Sequence, residues 1–220
     1  EAASLASLVH WRAFAVFFSD EFSVIDTLVL KKSVCMLPLC VNLAHLRIDE
    51  HVTMNAASYR ILSNLSTLRS LQIRESVIAS LQCFCHNSGL EHLEIVSCPN
   101  VDDISWLGTF ERLVSFRYLP PHGPQQPLLL PLDFSGLPCL ELLELRGCQD
   151  LEDSHLDGLY DSTKLRVVDI SLNFELTSAA LRFLTFTPHL RILNISHTAV
   201  SSIVPVAACV HLEELIADDT

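Results

Sequence analysis

Leucine spacing constrains this chain more than any other feature. The phrase L-x-x-L-x-L-x-x-(Cys, Asn or small) recurs nine times, as IDTLVLKKS, LAHLRIDEH, LRSLQIRES, LEHLEIVSC, LVSFRYLPP, LELLELRGC, LRVVDISLN, LRILNISHT and LEELIADDT. Its starts are Ile25, Leu43, Leu68, Leu90, Leu113, Leu140, Leu165, Leu190 and Leu212, with spacings of 18, 25, 22, 23, 27, 25, 25 and 22 residues. Within each phrase L-x-L alternates with period two, the pattern of a strand buried on one face. Strands that return in one direction at this interval stack as a parallel ladder. A single turn has no closed core, and stacking turns builds a continuous one.

The ninth position of the phrase holds Ser33, His51, Ser76, Cys98, Pro121, Cys148, Asn173, Thr198 and Thr220. Here the chain leaves the strand and turns inward. A small side chain fits, and a polar one can bind backbone groups that the turn leaves unpaired. Cys98 and Cys148 are therefore read as turn residues.

The segments between phrases are of two kinds. LEDSHLDGLYDSTKL and LTSAALRFLTFTPHL carry apolar residues at helical spacing, with Asp153 and Thr177 as candidate N-caps. VDDISWLGTFERL and VSSIVPVAACVHL are shorter and suit tighter, partly 3₁₀ connections. Taken together, phrases and connections resemble the leucine-rich repeat family from about residue 24 to the end. The longer connections are similar to its cysteine-containing subtype, common in ubiquitin-ligase substrate receptors, and the shorter ones to its 22-residue subtype. The resemblance implies an α/β fold, a right-handed leucine-rich repeat solenoid. Parallel strands would line its concave face, with helices, 3₁₀ turns and loops on the convex face.

Two domains are expected. Residues 1–23 form an N-terminal helical cap or the remnant of a preceding repeat, with Trp11, Phe14, Phe17 and Phe18 to bury. Residues 24–220 form the repeat domain of about nine repeats, the last one truncated. The chain begins without Met and stops at Thr220 partway through a repeat, as a piece of a longer protein would. Residues 118–138 hold six of the ten prolines and read as an extended, irregular connection.

Composition narrows the partners. Half of the residues are hydrophobic, so the chain can bury a large core. No apolar run is long enough to span a bilayer, so no membrane role is expected. The net charge is −12, with −4 in residues 1–110 and −8 in residues 111–220. Such a surface repels phosphate backbones and favours a basic protein partner over nucleic acid. A monomer is expected. The eight cysteines form no regular staple pattern and include no CxxC pair, which suits free thiols in a reducing compartment, the cytoplasm by default.

Catalytic and cofactor signals are missing from the sequence. Six glycines provide no phosphate loop, and neither HExxH nor G-x-S-x-G occurs. The stretch CFCH at 83–86 lacks a fourth ligand at metal spacing, and its Leu81, Phe84 and Cys85 fall on one core-facing side. No cofactor, metal or catalytic residue is assigned, and the chain is not read as an enzyme.

What remains is the surface. The third, fifth and seventh positions of each phrase point to the concave side. The third-position column runs through Leu142, Val167 and Ile192, flanked in the fifth by Glu144, Asp169 and Asn194. An apolar stripe with a polar rim has the composition of an interaction hot spot. The first repeats are more basic there, around Arg47 and Arg74. These eight residues are the candidate partner-binding surface of a non-enzymatic interaction module. The alternative is a targeting or regulatory part of a larger enzyme, such as a ubiquitin-ligase substrate receptor, with catalysis elsewhere.

Overall fold

A computed structural model of the chain describes residues 27–30, 42–49, 56–78, 80–101, 104–121, 132–148 and 151–220. The cap expected over residues 1–23, the ninth-position Ser33 and His51, and the prolines between residues 122 and 131 lie outside the described residues.

Every L-x-L phrase forms a strand. They are β1 (Thr27–Leu30), β2 (His45–Ile48), β3 (Ser70–Arg74), β4 (His92–Val96), β5 (Ser115–Leu119), β6 (Leu142–Leu145), β7 (Val167–Asp169), β8 (Ile192–Asn194) and β9 (Glu214–Ile216). They make one sheet in sequence order, with every neighbouring pair parallel. The register follows the phrase without slippage: Ser115 pairs with Leu142 across the 27-residue interval, just as Leu142 pairs with Val167. The longer interval leaves the ladder intact.

The inward positions form one continuous core. Leu93, Leu143, Val168 and Leu193 are at most 1% exposed, as the alternation demands. The ninth-position turn is equally buried at Cys98, Cys148, Asn173 and Thr198. Asn173 Nδ2 donates to Ile170 O and to Leu145 O of the preceding repeat, both at 2.7 Å, and Thr198 Oγ1 donates to Ile195 O at 2.7 Å. The inward turn is thus closed by side chains that replace missing backbone partners.

One position earlier, the eighth, the backbone turns left-handed. Glu75, Ser97, Leu172, His197 and Asp219 have φ between 50° and 62°, and Gly147 has φ 72°. The fifth repeat has Pro120 in this column, and proline cannot take a positive φ. That is where the long proline-rich connection follows.

The convex side carries short helices, 3₁₀ turns and loops, as expected. The two longer connections are 3₁₀ helices, Asp153–Asp161 and Ser178–Phe186, and the only α-helix among the described residues is α1 (Ala56–Leu62). Apolar side chains three apart serve either helix, so the spacing could not separate them. A 3₁₀ helix rises about 2.0 Å per residue against 1.5 Å, so nine residues reach further around the turn. Thr177 is an N-cap as expected, its side chain accepting from Ala179 N. The other N-cap is Glu152, because the Asp153 carboxylate is drawn to the next repeat, where it accepts from Thr177 N at 2.8 Å and Oγ1 at 2.5 Å.

Candidate functional site

Alternate strand positions place one side-chain column beside the next on the concave face. Lateral pairing runs His45, Ser70, His92, Ser115, Leu142, Val167, Ile192, Glu214 along the third positions. The fifth positions run Arg47, Gln72, Glu94, Arg117, Glu144, Asp169, Asn194, Ile216. Leu142, Val167 and Ile192 are therefore brought together as an unbroken half-buried line. With strands about 4.8 Å apart, it spans about 10 Å.

The rim of that line is fixed by its own bonds. Asp169 accepts from Asn194 Nδ2 at 3.1 Å and from Ser171 N at 2.9 Å, and Asn194 Oδ1 accepts from Ser196 N at 3.1 Å. Glu144 Oε2 lies 3.2 Å from Arg117 Nε, an ion pair without hydrogen-bond alignment. Beyond the rim, Glu214 and Asp218 are exposed. The strand and turn residues of the last three repeats that face this side include no arginine or lysine.

Arg47 and Arg74 also reach the concave side, but both are charge-paired. Arg47 Nε donates to Asp49 Oδ1 at 2.6 Å, which raises the guanidinium's affinity for its proton, and Arg74 Nη2 lies 2.5 Å from Glu94 Oε1. Among the described residues, these two arginines are each paired with a carboxylate and do not make a free basic patch.

Between the two regions lies a feature the sequence columns did not single out. A depression of about 250 Å³ opens over β3, β4 and β5, lined by Ser70, Gln72, His92, Glu94, Ser115 and Arg117 with Leu71 and Leu93 beneath. Its origin is steric: the small Ser70 and Ser115 stand on either side of His92 and leave a dip in the column. The signal was present in the third-position list as two serines around a histidine.

Serine, histidine and glutamate in one dip invite a catalytic reading. Among the described residues, however, no hydrogen bond joins Ser70 or Ser115 to His92, and Glu94 is held by Arg74. The thiols offer no nucleophile in the turns. Burial pushes Cys148 up to about 12, and Cys98 is raised by the same cause. Of the CFCH residues, Phe84 is buried and Cys83 and Cys85 pack partly buried against the core. Among the described residues no three His, Cys, Asp or Glu side chains converge as a metal site, and no helix is long and apolar enough to cross a membrane.

No protein-family model matches the chain, and no curated protein matches its sequence. Solved structures do match. Internalin C2 from Listeria monocytogenes superposes with a TM-score of 0.68 at 17% identity, over 90% of this chain and 83% of that one. TLR13 in its complex with ssRNA13 gives 0.61 at 15% identity, over 92% of this chain and 34% of that one. Toll of Drosophila in its complex with Spatzle gives 0.59 at 18% identity, over 91% and 29%. The fold is a leucine-rich repeat solenoid. The chain spans under a third of Toll and about a third of TLR13.

Proposed function

We propose that this chain is a non-enzymatic interaction module that holds a protein partner on its concave face. The carrying observation is the lateral register of Leu142, Val167 and Ile192, which joins three half-buried apolar side chains into one line inside a hydrogen-bonded acidic and amide rim. Such a line is desolvated by a partner at little cost in ordering, because its rim is already fixed. Glu144, Asp169, Glu214 and Asp218 favour a basic partner, and the net charge of −12 favours protein over nucleic acid. The six described cysteines are all free, which supports a reducing compartment such as the cytoplasm.

The test compares partners retained from cell extract by the native chain, by Val167→Asp and by Val77→Asp. Val77 is 57% exposed in the turn beyond β3, away from the apolar line, and serves as the control. A partner lost with Val167→Asp and kept with Val77→Asp supports the reading. Equal retention by both variants moves the site off the apolar line. Unfolding by Val167→Asp alone shows that the residue belongs to the core.

A further inference from the structure

Charge on the concave face is ordered along the apolar line. Cations stand at its β6 end, where Arg117 is paired with Glu144 at 3.2 Å and Arg146 is exposed in the turn after the strand. From there the third-position column runs through Leu142, Val167 and Ile192 to Glu214, the lateral partner of Ile192. At this β9 end, Glu213 faces Arg191 at 3.2 Å and Asp219 faces His197 at 3.4 Å. Glu214 and Asp218 are exposed, and neither enters an ion pair among the described residues. Asp218 N donates to Ser196 Oγ at 3.1 Å, which fixes the backbone carrying that carboxylate. The uncompensated negative charge of the line therefore sits at one end of it.

Length decides the shape of a segment that covers this order. Leu142 to Ile192 spans two strand intervals, about 10 Å, and Leu142 to Glu214 spans three, about 14 Å. Seven residues of α-helix advance about 10.5 Å, so side chains at i, i+4 and i+7 reach all three apolar positions from one helix face. In an extended chain crossing the strands, three same-side residues cover about 13.6 Å and overshoot the line. One further helical turn falls over Glu214. A lysine there lays its aliphatic stem near Ile192 and its ammonium against the carboxylates. Charge also sets direction. A helix carries about half a positive charge at its N-terminus and about half a negative one at its C-terminus. The N-terminus is favoured beside Glu214 and Asp218, and the C-terminus toward Arg146.

We infer that the concave face over β6 to β9 receives an amphipathic helix of the protein partner. Its basic N-terminal turn lies over Glu214 and Asp218, and three apolar residues lie on Leu142, Val167 and Ile192. This rests on the reading that the concave face holds a protein, and it names the shape, charge and direction of the segment held.

The probe is a capped alanine-rich helix of about twenty residues, with leucines at i, i+4 and i+7 and lysines at i−3 and i−4. It is titrated at low salt into the full chain and followed by backbone amide chemical shifts. One control peptide has glutamine for both lysines, and another has a proline midway that breaks the helix. The expected result is saturable shifts at Val167, Ile192 and Glu214, with the glutamine peptide about fivefold weaker and the proline peptide weaker still. A nitroxide on the N-terminus of the lysine peptide should broaden Glu214 more than Leu142. In the chain carrying both Glu214→Gln and Asp218→Asn, which are exposed conservative changes, the lysine and glutamine peptides should bind alike. Absence of saturable shifts, equal binding of those two peptides by the native chain, or stronger broadening at Leu142 would each overturn the assignment. Undiminished binding of the proline peptide would replace the helix with an extended segment. Concentration-dependent shifts at Val167 without any peptide would put a second copy of the chain there instead. The peptides need no natural partner, so a partner lost with Val167→Asp while the peptides fail keeps the concave reading and ends the helix assignment.

Discussion

Asn173 donates one amide nitrogen to carbonyls of two consecutive repeats, Leu145 and Ile170, at 2.7 Å each. Asn173→Leu keeps the volume and removes both bonds inside a buried turn. A stability loss of about 1–3 kcal/mol is expected, read from the denaturant midpoint. The thiol at the equivalent position one repeat earlier behaves differently. Cys148 is 2% exposed and its thiol is raised to about 12, so it stays protonated throughout the neutral range. Native Cys148 should label with iodoacetamide at pH 8 far more slowly than the same residue in denaturant; equal rates would place it at the surface. Gly147 next to it has φ 72°, and a Cβ there would come no closer than 3.9 Å to Leu172. Gly147→Ala therefore meets no clash, and its expected cost of about 1 kcal/mol is conformational.

The 3₁₀ connections pack where glycine removes the side chain. A Cβ on Gly158 would stand 2.6 Å from Ser135 N and 3.0 Å from Phe134 C, and one on Gly108 would stand 2.5 Å from Ser135 O. These are backbone atoms of the neighbouring convex segment and cannot rotate away. Gly158→Ala should lower stability by about 1–3 kcal/mol through forced separation of the two turns, in a urea melt beside the Gly147→Ala variant. The strands were legible because their signal is local: in LELLEL the burial pattern and the leucine pattern are the same alternation. The helix type was not, since Leu156 and Leu159 lie three apart and face the core in either geometry. The left-handed eighth position was not legible either. Glu75, Ser97, Leu172, His197 and Asp219 share a backbone angle and no side-chain property. The apolar line of the candidate site followed from aligning the phrases. The dip at His92 lay in the same alignment, as Ser70 and Ser115 on either side, but a gap left by small side chains stands out less than a run of apolar ones.

At the scale of the whole molecule, stability is shared between adjacent turns. Leu143 is fully buried between Phe116 and Val168 in the ladder, so Leu143→Ala should cost about 2–5 kcal/mol. Amide exchange should accelerate in β5 and β7 before β2, because each repeat contacts mainly its neighbours. Uniform acceleration along the sheet would show a single cooperative unit instead. The unbroken register has one more consequence, which belongs to measurement by comb and ruler. Nine parallel strands in step set a tooth about every 4.8 Å along the concave face. An extended segment lying across them repeats its same-side residues about every 6.8 Å. A helix laid the same way repeats about every 5.4 Å. Neither pitch equals the comb, so any straight partner drifts out of phase within a few teeth and can match this surface only over short stretches.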